Sequence, residues 1–299
     1  MKVGVNGAVR DISDLKVGVS GAVHAASELW VGLNGATKKV WPTYSSVLDE
    51  NTWEQISEAS SSGVAENIWE VGDRKQVTLN GTMSKLTLSN YSTYAFILGF
   101  NHNSSREGSG RIHFQFGKTA LSGGKDICLV SGYSDDSDFY MNTRDRNSGG
   151  WEGSYMRNNI LGTSKTSYSG KFIGVLPSAL RNVLKSVTKY TDNTGNSSTS
   201  SNAVTATTDY AFLLSEYEVF GSCTYANSNE ASRQQQYAYY SAGNSKIKYN
   251  HSSTGTAISW WLRSPGRSNS RRFTGMNTNG NVYNSGADSS LGVAPGFCV

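Results

Sequence analysis

The sequence is poor in several residue types, and each shortage closes off a class of function. It holds only three cysteines in 299 residues, Cys128, Cys223 and Cys298. They are widely spaced, odd in number and form no Cys-x-x-Cys pair, so they read as reduced, mostly buried thiols of a protein made in a cytoplasm. The four histidines (24, 102, 113 and 251) show no metal-ligand spacing. Charged residues make up 17% of the chain and the net charge is +4, too little to argue for nucleic acid as a partner. No run of about eighteen apolar residues exists to span a membrane. The opening, Met1 to Gly7, has no apolar core of a secretory signal, so export by that route is not expected. There is no nucleophile elbow and no phosphate loop.

What is abundant points to a folded, β-rich chain. Seven Trp, 16 Tyr and 10 Phe can build a substantial core, which excludes disorder. Low charge combined with 32 Gly suggests strands and long loops rather than a helical bundle. The length suits one large domain or two smaller ones.

Residues 1–42 carry an internal repeat. Val3-Gly4-Val5-Asn6-Gly7-Ala8-Val9 recurs as Val17-Gly18-Val19-Ser20-Gly21-Ala22-Val23 and as Val31-Gly32-Leu33-Asn34-Gly35-Ala36-Thr37, with a period of 14. Asn-Gly or Ser-Gly between short apolar runs is a hairpin signal, because both turn positions favour positive φ. Three β-hairpins are therefore expected, closed by Trp41-Pro42. Forty residues bury too little to stand alone, so this module is expected to pack on copies of itself or on another protein.

From Thr43 to Val299 a larger ligand-binding domain is expected. Ser46–Ile56 has helical spacing, with Asp49 or Asn51 placed to cap. Gln76–Met83 alternates around Asn80-Gly81 and reads as a hairpin. Tyr94–Phe100 reads as a buried strand, and Arg111–Phe116 as a half-buried one. Leu176–Val187 reads as the best helix, with proline in its first turn. Tyr190–Thr205 reads as a polar loop, and Asp209–Phe220 as a strand followed by a short helix.

The last forty residues, about 260–299, are the most distinctive. Apolar clamps, Trp260-Trp261-Leu262-Arg263-Ser264-Pro265 and Gly292-Val293-Ala294-Pro295-Gly296-Phe297, enclose a run rich in Gly, Ser, Asn, Thr, Arg and Tyr. That is the vocabulary of binding loops. Lys, Glu, Gln and Trp together number 38 in the chain, yet none falls among the 25 residues Gly266–Ser290, where about three are expected from composition. From Trp260 onward there are four Arg (263, 267, 271 and 272), no Lys and one acid, Asp288. Arginine without lysine favours planar, bidentate or stacking recognition over a diffuse field. Arg263, inside the motif, reads as a structural ion-pair residue.

The WWLRSP segment, Phe273, Gly280, Ala287 and the closing GVAPGF resemble the C-terminal half of a domain common in gut bacteria and their prophages. That domain is similar to the C-type-lectin-fold variable proteins of diversity-generating retroelements, of which phage tropism determinants are the best understood. The resemblance continues upstream, in order, through Trp69–Asp73, Ile97–Asn103, Gly149–Glu152 with Met156-Arg157, Leu176-Pro177, and Phe212–Glu216 with Glu218–Phe220. It covers roughly 43–299. It implies an α+β, C-type lectin fold of the formylglycine-generating-enzyme-like subtype, preceded by the all-β repeat module. It also accounts for the missing residue types. Retroelements of this kind mutate template adenines in AAY codons, which can yield Asn, Ser, Tyr, Asp, Gly, Arg or Thr but never Lys, Glu, Gln or Trp.

On that resemblance Trp260, Trp261, Leu262, Phe273, Val293 and Phe297 are scaffold, with Arg263 beside them. The exposed, diversified ligand-binding set is Arg267, Ser268, Asn269, Ser270, Arg271, Arg272, Thr274, Gly275, Thr278, Asn279, Asn281, Tyr283, Asn284, Ser285, Asp288, Ser289 and Ser290. The implied function is a non-enzymatic phage or prophage tail protein that recognises a host-cell surface protein or glycan. It would join other virion proteins through residues 1–42 and reach the outside by assembly and lysis. The resemblance implies a homo-oligomer, a trimer first and a monomer as the alternative. No cofactor, metal or nucleic acid is expected.

Two other readings stand beside it: a fixed-specificity cell-surface module of the same fold, and a structural baseplate or fibre component. An oxidase like the formylglycine-generating enzymes would need two thiols side by side, and nothing in the sequence pairs them. Ser134-Asp135-Asp136-Ser137-Asp138 could offer oxygens to Ca²⁺ but lacks the glycine and terminal Glu of an EF-hand loop, so it reads as a solvated acidic turn. His102 reads as a structural residue, and Gly149–Glu152 as a turn with a core Trp.

Overall fold

The structure, a computed structural model, describes residues 44–130 and 138–299 and, before them, the backbone of six short strands with the turn between the middle pair. Contacts divide the chain into two units, Met1–Ser46 and Val47–Val299. In the first, β1 (Lys2–Val5) pairs antiparallel with β2 (Ala8–Asp11), β3 (Lys16–Val19) with β4 (Ala22–Ala25), and β5 (Leu29–Leu33) with β6 (Ala36–Trp41). The β3–β4 reversal has Ser20 at φ 52° and Gly21 at φ 83°, the two left-handed positions of a type I′ turn, whose twist matches that of the flanking strands. The Asn6-Gly7 and Asn34-Gly35 turns expected from the repeat lie outside the described residues.

The second unit mixes helices with mostly antiparallel sheets. It opens with α1 (Trp53–Ser61). Asp49 and Asn51 do not cap it. Thr52 does, in a capping box in which its hydroxyl accepts from the Gln55 N–H and the Gln55 side chain accepts from the Thr52 N–H; this satisfies two orphan donors at once. Asp49 instead accepts from the backbone N–H of Gln76 at 2.7 Å.

Next come β7 (Arg74–Met83) and β8 (Leu86–Phe100). Asn80-Gly81 is not the turn between them. The strand runs through it with a register slip between Leu79 and Gly81, and the chain reverses at Ser84-Lys85. Both Leu79 and Met83 are fully buried, so ending the strand at Asn80 would strip cover from the core. After α2 (Ser104–Glu107), β9 (Ile112–Lys118) is buried along its whole length rather than on one face. One face meets aromatic rings: Phe114 lies 5.6 Å from Trp53 and stacks at 5.2 Å on Phe297. On the other, His113 Nδ1 meets the Tyr237 hydroxyl at 3.0 Å, and Gln115 accepts from the Tyr240 hydroxyl at 2.7 Å.

A π-helical turn at Met156–Leu161 precedes α3 (Phe172–Val175) and α4 (Ser178–Val183). Here the helix expected through Val187 stops early. Lys185 leaves it to donate its N–H to the Cys298 carbonyl at 2.9 Å, and Val187 begins β10 (Val187–Asp192), which pairs with β11 (Val204–Asp209). The β-branched residues of Val187-Thr188 and Thr191 suit that strand, and the polar loop is confined to 193–203.

The remaining elements are β12 (Ala211–Phe212), α5 (Glu216–Phe220), α6 (Ala238–Ser241), β13 (Lys248–Tyr249), β14 (Ala257–Ile258), β15 (Trp260–Pro265), β16 (Arg272–Met276), β17 (Val282–Gly286) and β18 (Gly296–Cys298). The main sheet has the order β12-β18-β9-β8-β7. A second sheet, β15-β16-β17, carries the WWLRSP clamp and the loops of interest, while the GVAPGF clamp runs into β18 of the main sheet. Among the described residues no helix is long and apolar enough to cross a membrane.

Candidate functional site

The WWLRSP strand is buried at every position. Trp260 and Trp261 each donate an indole N–H, to the Lys246 and Phe139 carbonyls respectively, both at 3.0 Å. Phe273, Val293 and Phe297 are likewise without exposure. Arg263 is buried with them. Its guanidinium grips Glu218 through Nη1–Oε2 at 2.5 Å and Nη2–Oε1 at 2.9 Å, and also donates to Thr191 Oγ1 at 2.7 Å and the Leu213 carbonyl at 2.8 Å.

This pair belongs to a larger buried network. The Lys189 ammonium donates to Glu107 Oε2 at 2.6 Å, Glu218 Oε1 at 2.9 Å and the Tyr237 hydroxyl at 2.8 Å. Two cations thus meet two carboxylates in the core, which satisfies charges that would be costly alone. Burial pushes the Glu218 carboxyl up, but Arg263 and Lys189 outweigh it and hold the group well below the usual carboxylate range. Burial, partly offset by Lys189, leaves Glu107 raised to about 6. His102, Glu107 and Glu218 have ligand atoms close enough to hold a metal, but the Lys189 ammonium lies between the two carboxylates, where a cation would be bound. His102 stacks on Tyr237 at 3.8 Å, and burial holds its pKa down at about 3, so it packs as a neutral ring. Of the acidic turn, Asp138 pairs with Lys85 at 3.0 Å; residues 134–137 lie outside the described residues.

Above this scaffold the loop 266–272 is held by a residue the sequence reading missed. Asn147 is fully buried. Its Nδ2 donates to the carbonyls of Asn269 and Arg272, both at 2.9 Å, and of Gly266 at 3.3 Å. Its own N–H donates to the Ser270 carbonyl at 2.7 Å, and its Oδ1 accepts from the Asn196 N–H at 2.8 Å. Gly195, at φ 63°, leaves room for this: a Cβ there would lie 1.9 Å from the Asn147 carbonyl oxygen. The loop also donates from Arg267 N–H to the Tyr225 carbonyl at 2.8 Å and closes Gly266 N–H on the Arg272 carbonyl at 2.8 Å. The backbone is thus fixed chiefly by backbone groups and by Asn147, while Ser268, Ser270, Arg271 and Arg272 project into solvent. Nothing in the sequence around Asn147 marked this role, since polar residues precede and follow it.

The other anticipated positions divide into four groups. Asp288 is exposed and Ser289 and Ser290 are half-buried; they sit at the same end of the sheet as the loop, tied to it by Ala287 N–H donating to the Arg271 carbonyl at 2.8 Å. Thr278, Asn279 and Asn281 belong to the β16–β17 turn at the opposite end, about 14 Å away along a five-residue strand. That turn is organised by Asn277, whose Oδ1 accepts from the N–H groups of Asn279 at 2.9 Å and Asn281 at 3.0 Å. Tyr283, Asn284 and Ser285 are half-buried in β17. Thr274 and Gly275 are a correction: both are buried. They lie in β16, the central strand of the three, where Thr274 donates its hydroxyl to the Ser264 carbonyl at 3.1 Å and Gly275 faces Tyr283.

Next to the loop lies a depression of about 560 Å³ lined by Asp145, Arg146, Ser148, Asn196, Ser270 and Arg271. A smaller one of about 270 Å³ shares Arg146 and Ser148 and adds Arg144, Tyr155 and Asn158 among others. Arg271 Nη1 lies 4.0 Å from Asp145, with both side chains substantially exposed. A surface that combines guanidinia, hydroxyls and amides can bind polar or anionic groups.

Comparison with known proteins returns no match among curated proteins and none among solved structures. A sequence model of one protein family, described as a domain of unknown function, DUF6273, matches residues 126–299. This stretch is more than half of the chain and contains both walls of the depression, so the chain belongs to the DUF6273 family.

Proposed function

We propose that the protein is a non-enzymatic receptor-binding protein whose C-terminal surface is diversified, in the manner of the C-type-lectin-fold variable proteins of diversity-generating retroelements. In this reading the second unit is a C-type lectin fold and the protein is a phage or prophage tail component. Residues 1–42 join it to other virion proteins, and the exposed loops meet a host-cell surface protein or glycan. Several copies arrayed on one particle would turn weak single contacts into firm attachment, which favours a homo-oligomer.

The observation that carries the reading is a separation of labour in the C-terminal segment. Loop 266–272 takes its shape mainly from Asn147, Tyr225 and its own backbone, and turn 277–281 takes its shape from Asn277. The solvent-facing side chains hold up little of the fold, so they can change while the scaffold stays. Function then resides on loops borne by a rigid body. The missing Lys, Glu, Gln and Trp of Gly266–Ser290 fit the codon outcomes of adenine mutagenesis.

Reading the DNA beside the gene tests this. A near-copy of the codons for Trp260–Phe297, with mismatches confined to adenines of the copy, and a reverse-transcriptase gene close by are expected. Absence of both leaves a binder of fixed specificity or a structural tail component.

A further inference from the structure

We propose that the depression between the loops 144–148 and 268–272 binds a carboxylate-bearing saccharide, with Arg146 and Arg271 clasping the carboxylate. This rests on the reading above that the face takes a ligand, and it names the ligand's chemical class.

The first observation is an accumulation of like charge. Arg144, Arg146 and Arg271 come from two segments more than a hundred residues apart and line adjoining hollows of one exposed face. Among the described residues neither the Arg144 nor the Arg146 guanidinium has an ion-pair or hydrogen-bond partner. The acid among the lining residues is Asp145, 4.0 Å from Arg271, so in the lining guanidinia outnumber carboxylates three to one. Gathering such charges gains nothing for the fold; an anion placed among them removes the repulsion.

The second observation is the fixed spacing of the backbone that bears them. Asn147 directly follows Arg146 and donates its N–H to the carbonyl of Ser270, which directly precedes Arg271. The two guanidinia therefore spring from adjacent points of a backbone pair locked by the buried Asn147 amide. A site whose backbone is ordered in advance loses less freedom on binding, and the planar fork of arginine matches a carboxylate bidentately.

The third observation is the lining. Ser148, Asn196 and Ser270 offer hydroxyls and amides, and Tyr155 offers a ring face in the adjoining depression. Among the described residues no aliphatic side chain lines either hollow, so an acidic peptide finds no aliphatic anchor there, whereas the hydroxyls of a sugar find partners throughout. Arg146, Ser148 and Asn196 also lie outside Gly266–Ser290. One wall stays constant while the other changes, so Arg146 supplies the constant half of the clasp and the variable wall, Arg271 included, sets the rest of the specificity.

The test is a panel of glucuronate-, galacturonate- and sialate-bearing oligosaccharides, their carboxyl-reduced counterparts, and heparin, titrated against the full chain. At least one carboxylated member is expected to bind and to lose about tenfold or more in affinity on carboxyl reduction. Arg146→Ala and Arg271→Ala are each expected to cause a similar loss, while Arg233→Ala leaves binding unchanged. Binding that survives carboxyl reduction, binding indifferent to Arg146→Ala, capture of heparin alone, or no binding across the panel overturns the proposal. A neutral glycan or a protein receptor bound through this face would overturn it yet leave the receptor-binding reading intact. The DNA evidence fails or succeeds independently of the panel.

Discussion

Arg263 and Glu218 face each other through two hydrogen bonds of 2.5 and 2.9 Å, with neither side chain exposed to solvent. The pair ties the WWLRSP strand to helix α5, and Lys189 ties α5 onward to Glu107 at the end of α2. The C-terminal loops therefore stand on a charged keystone as well as on aromatic packing.

Removing one partner of such a pair strands the other charge in the core. Arg263→Met is expected to cost about 3–5 kcal/mol, read as a lower midpoint in urea. Arg263→Met combined with Glu218→Leu should recover part of the loss. Because the folded Glu218 carboxyl is held below its ordinary range, its contribution is present above the unfolded value near 4.3 and is lost as pH falls through and below it. Wild-type stability should accordingly drop more steeply below about pH 4.3 than that of the double variant.

Asn147→Ala leaves the carbonyls of Asn269 and Arg272 short of a buried donor. The expected cost is about 1–3 kcal/mol, with hydrogen exchange accelerated chiefly at the amides of 266–272. Global destabilisation without that local signature would mean that Asn147 does not hold the loop.

Substitutions that respect the separation of labour should be nearly neutral. Ser268→Tyr, Ser270→Asp and Asn279→Tyr are each expected to stay within about 0.5 kcal/mol of wild type. Thr274→Tyr, in a fully buried strand position, should cost about 1–3 kcal/mol by overpacking. Thermal midpoints of the four variants separate the groups.

The thiols give a signature at high pH. Burial pushes Cys128 and Cys298 up to about 12, while an unfolded thiol titrates near 8.5. Raised folded values mean that stability is full below about pH 8.5 and is lost as pH rises beyond it. Between pH 7.5 and 10 each buried thiol should remove about 2 kcal/mol, and Cys128→Ala with Cys298→Ala should flatten the decline. In the native state a thiol reagent should label Cys223 at most, since the other two are buried.

Much of this arrangement was legible in the sequence where the signal is local. The apolar run at 94–100 and the strand and short helix within 209–220 follow from composition and period, and the burial of Trp260, Trp261 and Phe273 is what the family resemblance implied. The misreadings share a cause, which is a partner distant in the chain. Asn80-Gly81 has turn chemistry, but the burial of Leu79 and Met83 keeps the strand running. Arg111–Phe116 alternates like a half-buried strand, yet Tyr237 and Tyr240 cover the face expected to be wet. Leu176–Val187 has helical spacing, but Lys185 is claimed by Cys298. Thr274 and Gly275 look like their loop neighbours by composition and are buried because β16 lies between two strands. Asn147 lies more than a hundred residues before the loop it holds, and no periodicity could announce it.

The central claim is that exposed C-terminal side chains vary while the residues that hold their backbone do not. Deep sequencing of the last forty codons, and of the codon for Asn147, in a population grown from a single clone tests this most directly. The account predicts changes at Ser268–Arg272, Thr278, Asn279, Asn281 and Asp288–Ser290, with Asn147, Trp260, Trp261, Arg263, Phe273, Asn277 and Phe297 unchanged. Changes spread evenly over buried and exposed codons, or a population uniform throughout the segment, would contradict it.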